Sequence, residues 1–274
     1  MRIGVWTVAT AFLTVAALPA QATLTISKKP TEKVFCTAGV CSATAQKANL
    51  NAADLSAMLA NGDVTVKSTK KARDVNVNGP VAWASTHHLT LDAYSSIAIG
   101  AAVSVNGTSG LTLTTDDGDT DGGVTFSQKG SISFLDTNSD FDWNGSPCVL
   151  IAHIATLAAD ALVDNTKCYA LARSYNAGPD GTYRASPVGN RFLGTFWGLG
   201  NTIRNLKIKA KQSGSYVGLF ALAEGPLWDV HLANVNVMGG KYSLVGALAG
   251  NLIAVNDVDV SGKVSGGPGS SVGG

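Results

Sequence analysis

Residues 216–250 read "YVGLFALAEGPLWDVHLANVNVMGGKYSLVGALAG", and they state one phrase twice. Val217-Gly218-Leu219-Phe220 returns as Val245-Gly246-Ala247-Leu248. Leu227-Trp228-Asp229-Val230-His231-Leu232 returns as Val255-Asn256-Asp257-Val258-Asp259-Val260, and both returns fall 28 positions on. A third copy opens at Val272-Gly273, 27 positions after Val245-Gly246. An apolar phrase recurring at nearly fixed spacing marks a structural unit that buries its face against its own next copy. The glycines suit corners with positive φ or close backbone approach.

The same texture extends toward the amino terminus. Between Val64 and Phe134 short apolar pairs alternate with Gly, Asn, Asp and Ser: Val75/Val77, Val81/Trp83, Leu89/Leu91, Ile97/Ile99, Val103/Val105, Leu111/Leu113, Val124/Phe126, Ile132/Phe134. Every third pair recurs. Val75 to Ile97, Val81 to Val103 and Leu89 to Leu111 are each 22 positions, and Val103 to Val124 and Leu111 to Ile132 are each 21. Three strands per turn predict an all-β fold, a right-handed parallel β-helix, rather than an antiparallel sandwich with turns every ~8–12 residues. Farther on, Ile203, Leu206 and Ile208 map onto Leu227, Val230 and Leu232 at an offset of 24.

Two short helices interrupt the strands. "LNAADLSAMLANG", residues 50–62, has Asn51 as a cap, an apolar face of Leu55, Met58 and Leu59, and Gly62 as a stop. A second helix is expected over 152–163, from Ile154, Leu157, Ala158, Ala161 and Leu162 at helical spacing. The resulting division is a leader at 1–22, a β-helix with an amino-terminal cap helix at 23–145, a helix-containing joint at 146–200, and glycine-punctuated repeats at 201–274.

The leader "MRIGVWTVATAFLTVAALPAQA" has Arg2, an apolar run and an Ala20-Gln21-Ala22 ending, the pattern of a cleaved secretory signal. The expected location is secreted or at a bacterial cell surface. No later stretch approaches the ~18 uninterrupted apolar residues of a membrane-spanning helix. Only 14% of residues are charged and the formal net charge is +1, which excludes the electrostatic case for nucleic acid. Export permits disulfides. The four cysteines show neither zinc-type nor Cys-x-x-Cys redox spacing, so Cys36 is expected to pair with Cys41, and Cys148 with Cys168 across the second helix.

"VGLFALAEG" and "VGALAGN", each followed by an apolar strand, resemble GLUG-motif repeats. "LNAADLSAMLANGDVTV…VAWASTHHLTLDAYSSIAI" followed by "GSISF" resembles the β-helical exoproteins related to filamentous haemagglutinin, and "YALARSYNAGPDGTYRASPVGNRFLGTFWGLGNTIRNLKI" is similar to the joint between two such parts. The resemblance covers about residues 36–274. It implies a right-handed β-helix in a large bacterial surface or secreted protein, often adhesin-like. The expected partners are a host-cell or glycan ligand and an outer-membrane secretion partner; the non-catalytic alternative is a purely structural matrix component that binds no host ligand. The amino-terminal secretion motif of the best-defined haemagglutinin exoproteins is not evident here, and the resemblance brings no catalytic residues.

Candidate chemistry is sparse. Asp117, Asp119, Asp121 and Gly122 in "DDGDTDGG" fit the first half of a calcium loop, with Gln128 where a bidentate Glu would stand; the alternative is a solvated turn. Asp136, Asn138 and Asp140 make a weaker candidate, since Phe141 replaces the turn glycine. Stacked turns would set Asp229 beside Asp257, which keeps open a polysaccharide lyase or hydrolase built on paired carboxylates. No Arg or His accompanies both. His87 and His88 alternate across a strand and cannot chelate together. Trp83, Trp143, Trp197 and Trp228 either form a sugar-stacking face or fill turns and core. Neither a G-x-S-x-G nor a P-loop occurs. Ser270–Gly274 reads as the opening of an unfinished turn. The chain is therefore expected to be the start of a longer product, or of a frame broken by mutation, with an uncapped carboxyl end that self-associates or frays.

Overall fold

The computed structural model describes residues 22–273. It is a parallel β-solenoid of about nine turns with two short helices. The proposed leader, apart from Ala22, lies outside the described residues.

In the amino-terminal stack the turns from Asp74 onward donate one strand to each of three ladders, and the first ladder gains two further strands from the segment before them. One runs Val124–Phe126, Ile97–Ile99, Asp74–Val77, Thr23–Ser27, Lys47–Asn51; a second runs Ser131–Phe134, Ala102–Val105, Val81–Trp83. The third belongs to a long sheet that continues into the second half of the chain. The three 22-residue offsets hold: Val75 pairs with Ile97, Val81 with Val103 and Leu89 with Leu111. The two 21-residue offsets do not. Val124 pairs with Ile97, Ile132 with Val103 and Phe141 with Leu111. The acidic turn is the cause. It inserts extra residues between Gly110–Thr114 and Val124–Phe126, and Asp116, Asp119 and Asp121 take positive φ within it. The turn lengthens while the inward alternation resumes unchanged, so apolar spacing alone gives the wrong partner.

The 28-residue repeat holds. Val217 pairs with Val245, Leu227 with Val255, Val230 with Val258 and Leu232 with Val260, and Val245 pairs in turn with Val272. Phe220, however, pairs with Ala249 rather than Leu248. The 24-residue offset also fails: Ile203 faces Leu232, Ile208 faces Val237, and Leu227 faces Phe196. A polar stack marks the true register. Asn205 Nδ2 donates to Asn176 Oδ1 at 2.8 Å, and Asn234 Nδ2 donates to Asn205 Oδ1 at 2.7 Å. Asn205 and Asn234 both sit at positive φ, a conformation that Asn tolerates better than most residues.

Helix α1 (Ala52–Leu59) is shorter than the expected 50–62. Asn51 caps it, accepting from the amides of Ala53 at 2.8 Å and Asp54 at 3.1 Å, and Leu55 and Leu59 are fully buried. Helix α2 (Ile154–Val163) buries Ile154, Leu157 and Ala161. Leu162, expected on that face, is 75% exposed instead. It follows Ala161 by one residue, about 100° around the helix. The strands flanking α2 are parallel neighbours, with Cys148 opposite Cys168, and their disulfide closes the crossover. Cys36–Cys41 closes an antiparallel hairpin.

Two cores share one wall. In Ser146–Ile151, Leu150 belongs to the amino-terminal core and Ile151 to the second. In Cys168–Leu171, Ala170 faces the first core, Tyr169 and Leu171 the second; in Thr195–Trp197, Trp197 faces the first and Phe196 the second. A sheet covered on both sides reads as unbroken apolar runs, here "YALA" (Tyr169–Ala172), and in the neighbouring strand the consecutive pair Leu150-Ile151. The wall also closes the last turn of the first stack. Ile132 N donates to Leu199 O at 2.9 Å, Phe134 N to Ala172 O at 2.6 Å, and Asn201 Nδ2 to Ile132 O at 2.7 Å. At the other end of the second stack, strands Ala249–Leu252, Val255–Ser265 and Ser271–Val272 leave Ile253, Val255 and Val272 exposed.

Candidate functional site

Three tryptophans converge at the shared wall. Trp197 and Trp228 are register partners on adjacent parallel strands, stacked with ring centroids 5.4 Å apart and planes 16° apart. Trp143 meets Trp197 edge-on at 4.9 Å and lies 6.4 Å from Trp228. Stacked and edge-on pairs are the arrangements that ring quadrupoles favour. The three indole Nε1 atoms are buried and have no hydrogen-bond partner. An unmet buried donor costs about 1–3 kcal/mol, so this is an expensive place to leave polar groups.

Asp229 follows Trp228 and sits at φ +51°; Asp257 holds the matching place one turn on, at φ +53°. Their neighbours pair directly, Trp228 with Asn256 and Val230 with Val258, so the juxtaposition expected from the repeat is present in register. Asp229 is only 3% exposed, whereas Asp257 is exposed. Asp229 Oδ2 accepts from the amide of Gly200. His231 Nε2 comes within 3.3 Å of Oδ1, yet Oδ1 is buried without a hydrogen bond. Burial pushes the Asp229 carboxyl up to about 6, Asp257 adds to the rise, and the Gly200 amide and His231 oppose it. The loop that supplies this amide needs its glycines. A Cβ on Gly198 would stand 1.8 Å from the carbonyl oxygen of Asp229, and one on Gly200, at φ +69°, would stand 2.2 Å from Gly130 O.

These groups border a cleft of about 220 Å³. Thr125 and Phe126 come from the first stack, Trp197, Trp228 and Asp229 from the second, and Asp257 from its following turn. The cleft therefore combines an exposed carboxylate, a desolvated carboxyl that can hold or release a proton near neutral pH, and indole and phenyl walls.

The remaining sequence candidates lie elsewhere. Trp83 is buried in the first stack, its indole donating to Ser109 Oγ at 2.7 Å and His87 O at 3.0 Å. In the acidic turn the organising group is Asp116, which accepts from Thr120 and, at 3.3 Å, from Gly122 N, holding its carboxyl below the usual range. Asp117 turns toward Lys67 at 3.3 Å, and Lys67 also pairs with Asp92. Among the described residues no three His, Cys, Asp or Glu side chains gather to hold a metal ion. Asp136 accepts from Thr108 Oγ1 at 2.6 Å and Asn138 N at 2.9 Å. His87 lies 3.4 Å from Asp63, and His88 bonds Thr112 at 2.8 Å, so the two rings engage separate partners.

Sequence reasoning missed His231, Thr125 and Phe126. The His231 signal was present as Asp229-x-His231, two residues along one strand, but the other two enter only through the folding of one stack onto the other. The fold and this cleft define a parallel β-solenoid carrying an aromatic–carboxylate pocket at the junction of its two cores. Compared with known proteins, the chain matches no family model, no curated protein and no solved structure.

Proposed function

We propose that this chain is an exported, non-catalytic, adhesin-like structural segment of a bacterial surface or secreted protein, presenting binding surfaces on a rigid solenoid. The observation that carries this reading is the two-core stack, in which one wall is buried on both faces and locks successive turns together. Two disulfides, one at the amino-terminal hairpin and one across the α2 crossover, suit an oxidising compartment. Right-handed winding belongs to this reading, following the general preference of parallel crossovers. So do the GLUG-like repeats, a host-cell or glycan ligand, a secretion partner, and association through the exposed strands at the carboxyl end. The test is retention of purified residues 23–274 on host cells or immobilised polysaccharides, with no release of reducing or unsaturated ends. Loss of retention with steady product release would sink it.

A second reading, a β-helical polysaccharide lyase or hydrolase, draws on the Asp229–Asp257 pair, whose buried member is poised near neutral pH. Adjacent parallel strands lie ~4.8 Å apart, near the carboxyl separation of retaining glycosidases. Under this reading turnover of a polysaccharide panel falls at least ~100-fold in Asp229→Asn. Absence of turnover by the wild type removes the reading.

A further inference from the structure

We propose that the junction cleft is a binding site for an organic ammonium group, the protonated amine of an amino sugar or of a lysine side chain. The inference stands apart from the rod reading, because it needs only the cleft. Asp229 is almost wholly buried, lines the cleft, and leaves Oδ1 without a hydrogen-bond partner. A desolvated carboxylate with an open acceptor gains most from a cation, which restores the charge balance that burial removed. Asp257, one turn away and exposed, adds a second negative charge at the mouth. The walls select the kind of cation. Trp228, backed by the buried Trp197, and Phe126 offer ring surface, which attracts ammonium groups but provides no oxygen ligands. A calcium ion takes ~6–8 oxygens, and only two carboxylates converge here. Thr125 and Asn256 supply neutral polar groups for the remainder of the ligand. The volume, about 220 Å³, admits one sugar residue or the end of one side chain rather than a long oligomer.

His231 is the internal rival. Its Nε2 lies 3.3 Å from the same Oδ1, and its side chain is 29% exposed, so an incoming ammonium shares or displaces that contact. The amine needs no covalent step; it takes the place of His231 Nε2 at the buried Oδ1 and lies against indole. Binding should therefore register in the tryptophan emission, because Trp197 and Trp228 line the cleft and Trp143 touches both.

The test is titration of purified residues 23–274 at pH 7.5, read by tryptophan fluorescence and calorimetry. The probes are glucosamine, Nα-acetyl-lysine amide, glucose, N-acetylglucosamine and calcium chloride. Saturable binding of glucosamine or the lysine amide, at least ~10-fold tighter than glucose and N-acetylglucosamine, supports the site; which amine binds tighter separates an amino-glycan source from a peptide source. Asp229→Asn should weaken the amine by ~10-fold or more and Asp257→Asn by a few-fold. The comparison of charged and neutral probes on the wild type stands even where a variant folds poorly. Equal binding of glucosamine and glucose, calcium binding without amine binding, no binding of either amine at tens of millimolar, or an undiminished response in folded Asp229→Asn overturns the proposal.

Discussion

Replacing Asp229 by Asn should stabilise the folded chain at pH 8. Asparagine keeps the size of the side chain, keeps an oxygen to accept from the Gly200 amide, and tolerates the φ of +51°. It removes the charge that burial disfavours. The carboxyl rises from 3.8 to about 6 in the fold, so the folded state holds its proton more tightly than the unfolded one. The sign follows directly. Below pH ~4 both states are protonated and the carboxyl is neutral in effect; between ~4 and ~6 stability falls as pH rises; above ~6 the full cost is present. A rise from 3.8 to about 6 corresponds to about 3 kcal/mol, an upper figure because His231 shares the site. A gain of about 1–3 kcal/mol in Asp229→Asn should appear at pH 8 as a rise of roughly 2–10 °C in Tm for a chain of this size. The same gain should shrink toward zero at pH 4. Thermal unfolding of wild type and variant from pH 4 to 8, followed by circular dichroism, measures both. A variant less stable than wild type at pH 8, or a difference that does not change with pH, would show that the Asp229 carboxylate is well satisfied in the fold. The cleft would then lack the unmet charge on which ligand binding depends.

The other expectations are structural. Cys148→Ala with Cys168→Ala should lower stability by about 3 kcal/mol, since the bridge closes a loop with a sequence separation of 20 around α2; unchanged chemical denaturation would refute this. Asn205→Ala should cost about 1–3 kcal/mol by cutting the ladder between Asn176 and Asn234 and straining a positive-φ corner, whereas Asn205→Gly should recover only the backbone share. If Gly is as stable as Asn there, the ladder contributes nothing. Gly198→Ala should disrupt the junction, with tryptophan emission shifted to the red, because its Cβ would stand 1.8 Å from Asp229 O; a wild-type spectrum and Tm would mean the loop relaxes at little cost. Amide exchange should be fast in 251–273, where strands pair on one side only, and slow in 89–113; uniform protection would show the carboxyl end covered, as by a second copy.

The fold class was legible because inward residues alternate, and alternation survives any turn length. Register was not, for the same reason. Val124 and Ile132 continue an inward pattern that fits the strands at Val103 and Leu111 as well as those they pair with, Ile97 and Val103. Only the cost of the acidic turn distinguishes the two, and that cost lies in backbone corners at Asp116, Asp119 and Asp121 rather than in hydrophobicity. Where polar residues must stack on polar residues the register becomes unique: Asn176, Asn205 and Asn234 recur every 29 positions and would have corrected the 24-residue offset. The junction is harder still. Trp197, Trp228 and Asp229 are visible as residues, but nothing local says that Phe126, about 70 positions upstream of Trp197, will face them. What could be read is the double burial of the wall, since "YALA" and the pair Leu150-Ile151 break the alternation that a single core would impose. A run that abandons alternation inside a solenoid must have a second apolar neighbour. Polar residues packed near such a wall, as Asp229 is on a strand that pairs with Thr195–Trp197, can be almost wholly desolvated. A search for function in a repeat protein of this kind should therefore begin where its periodicity fails.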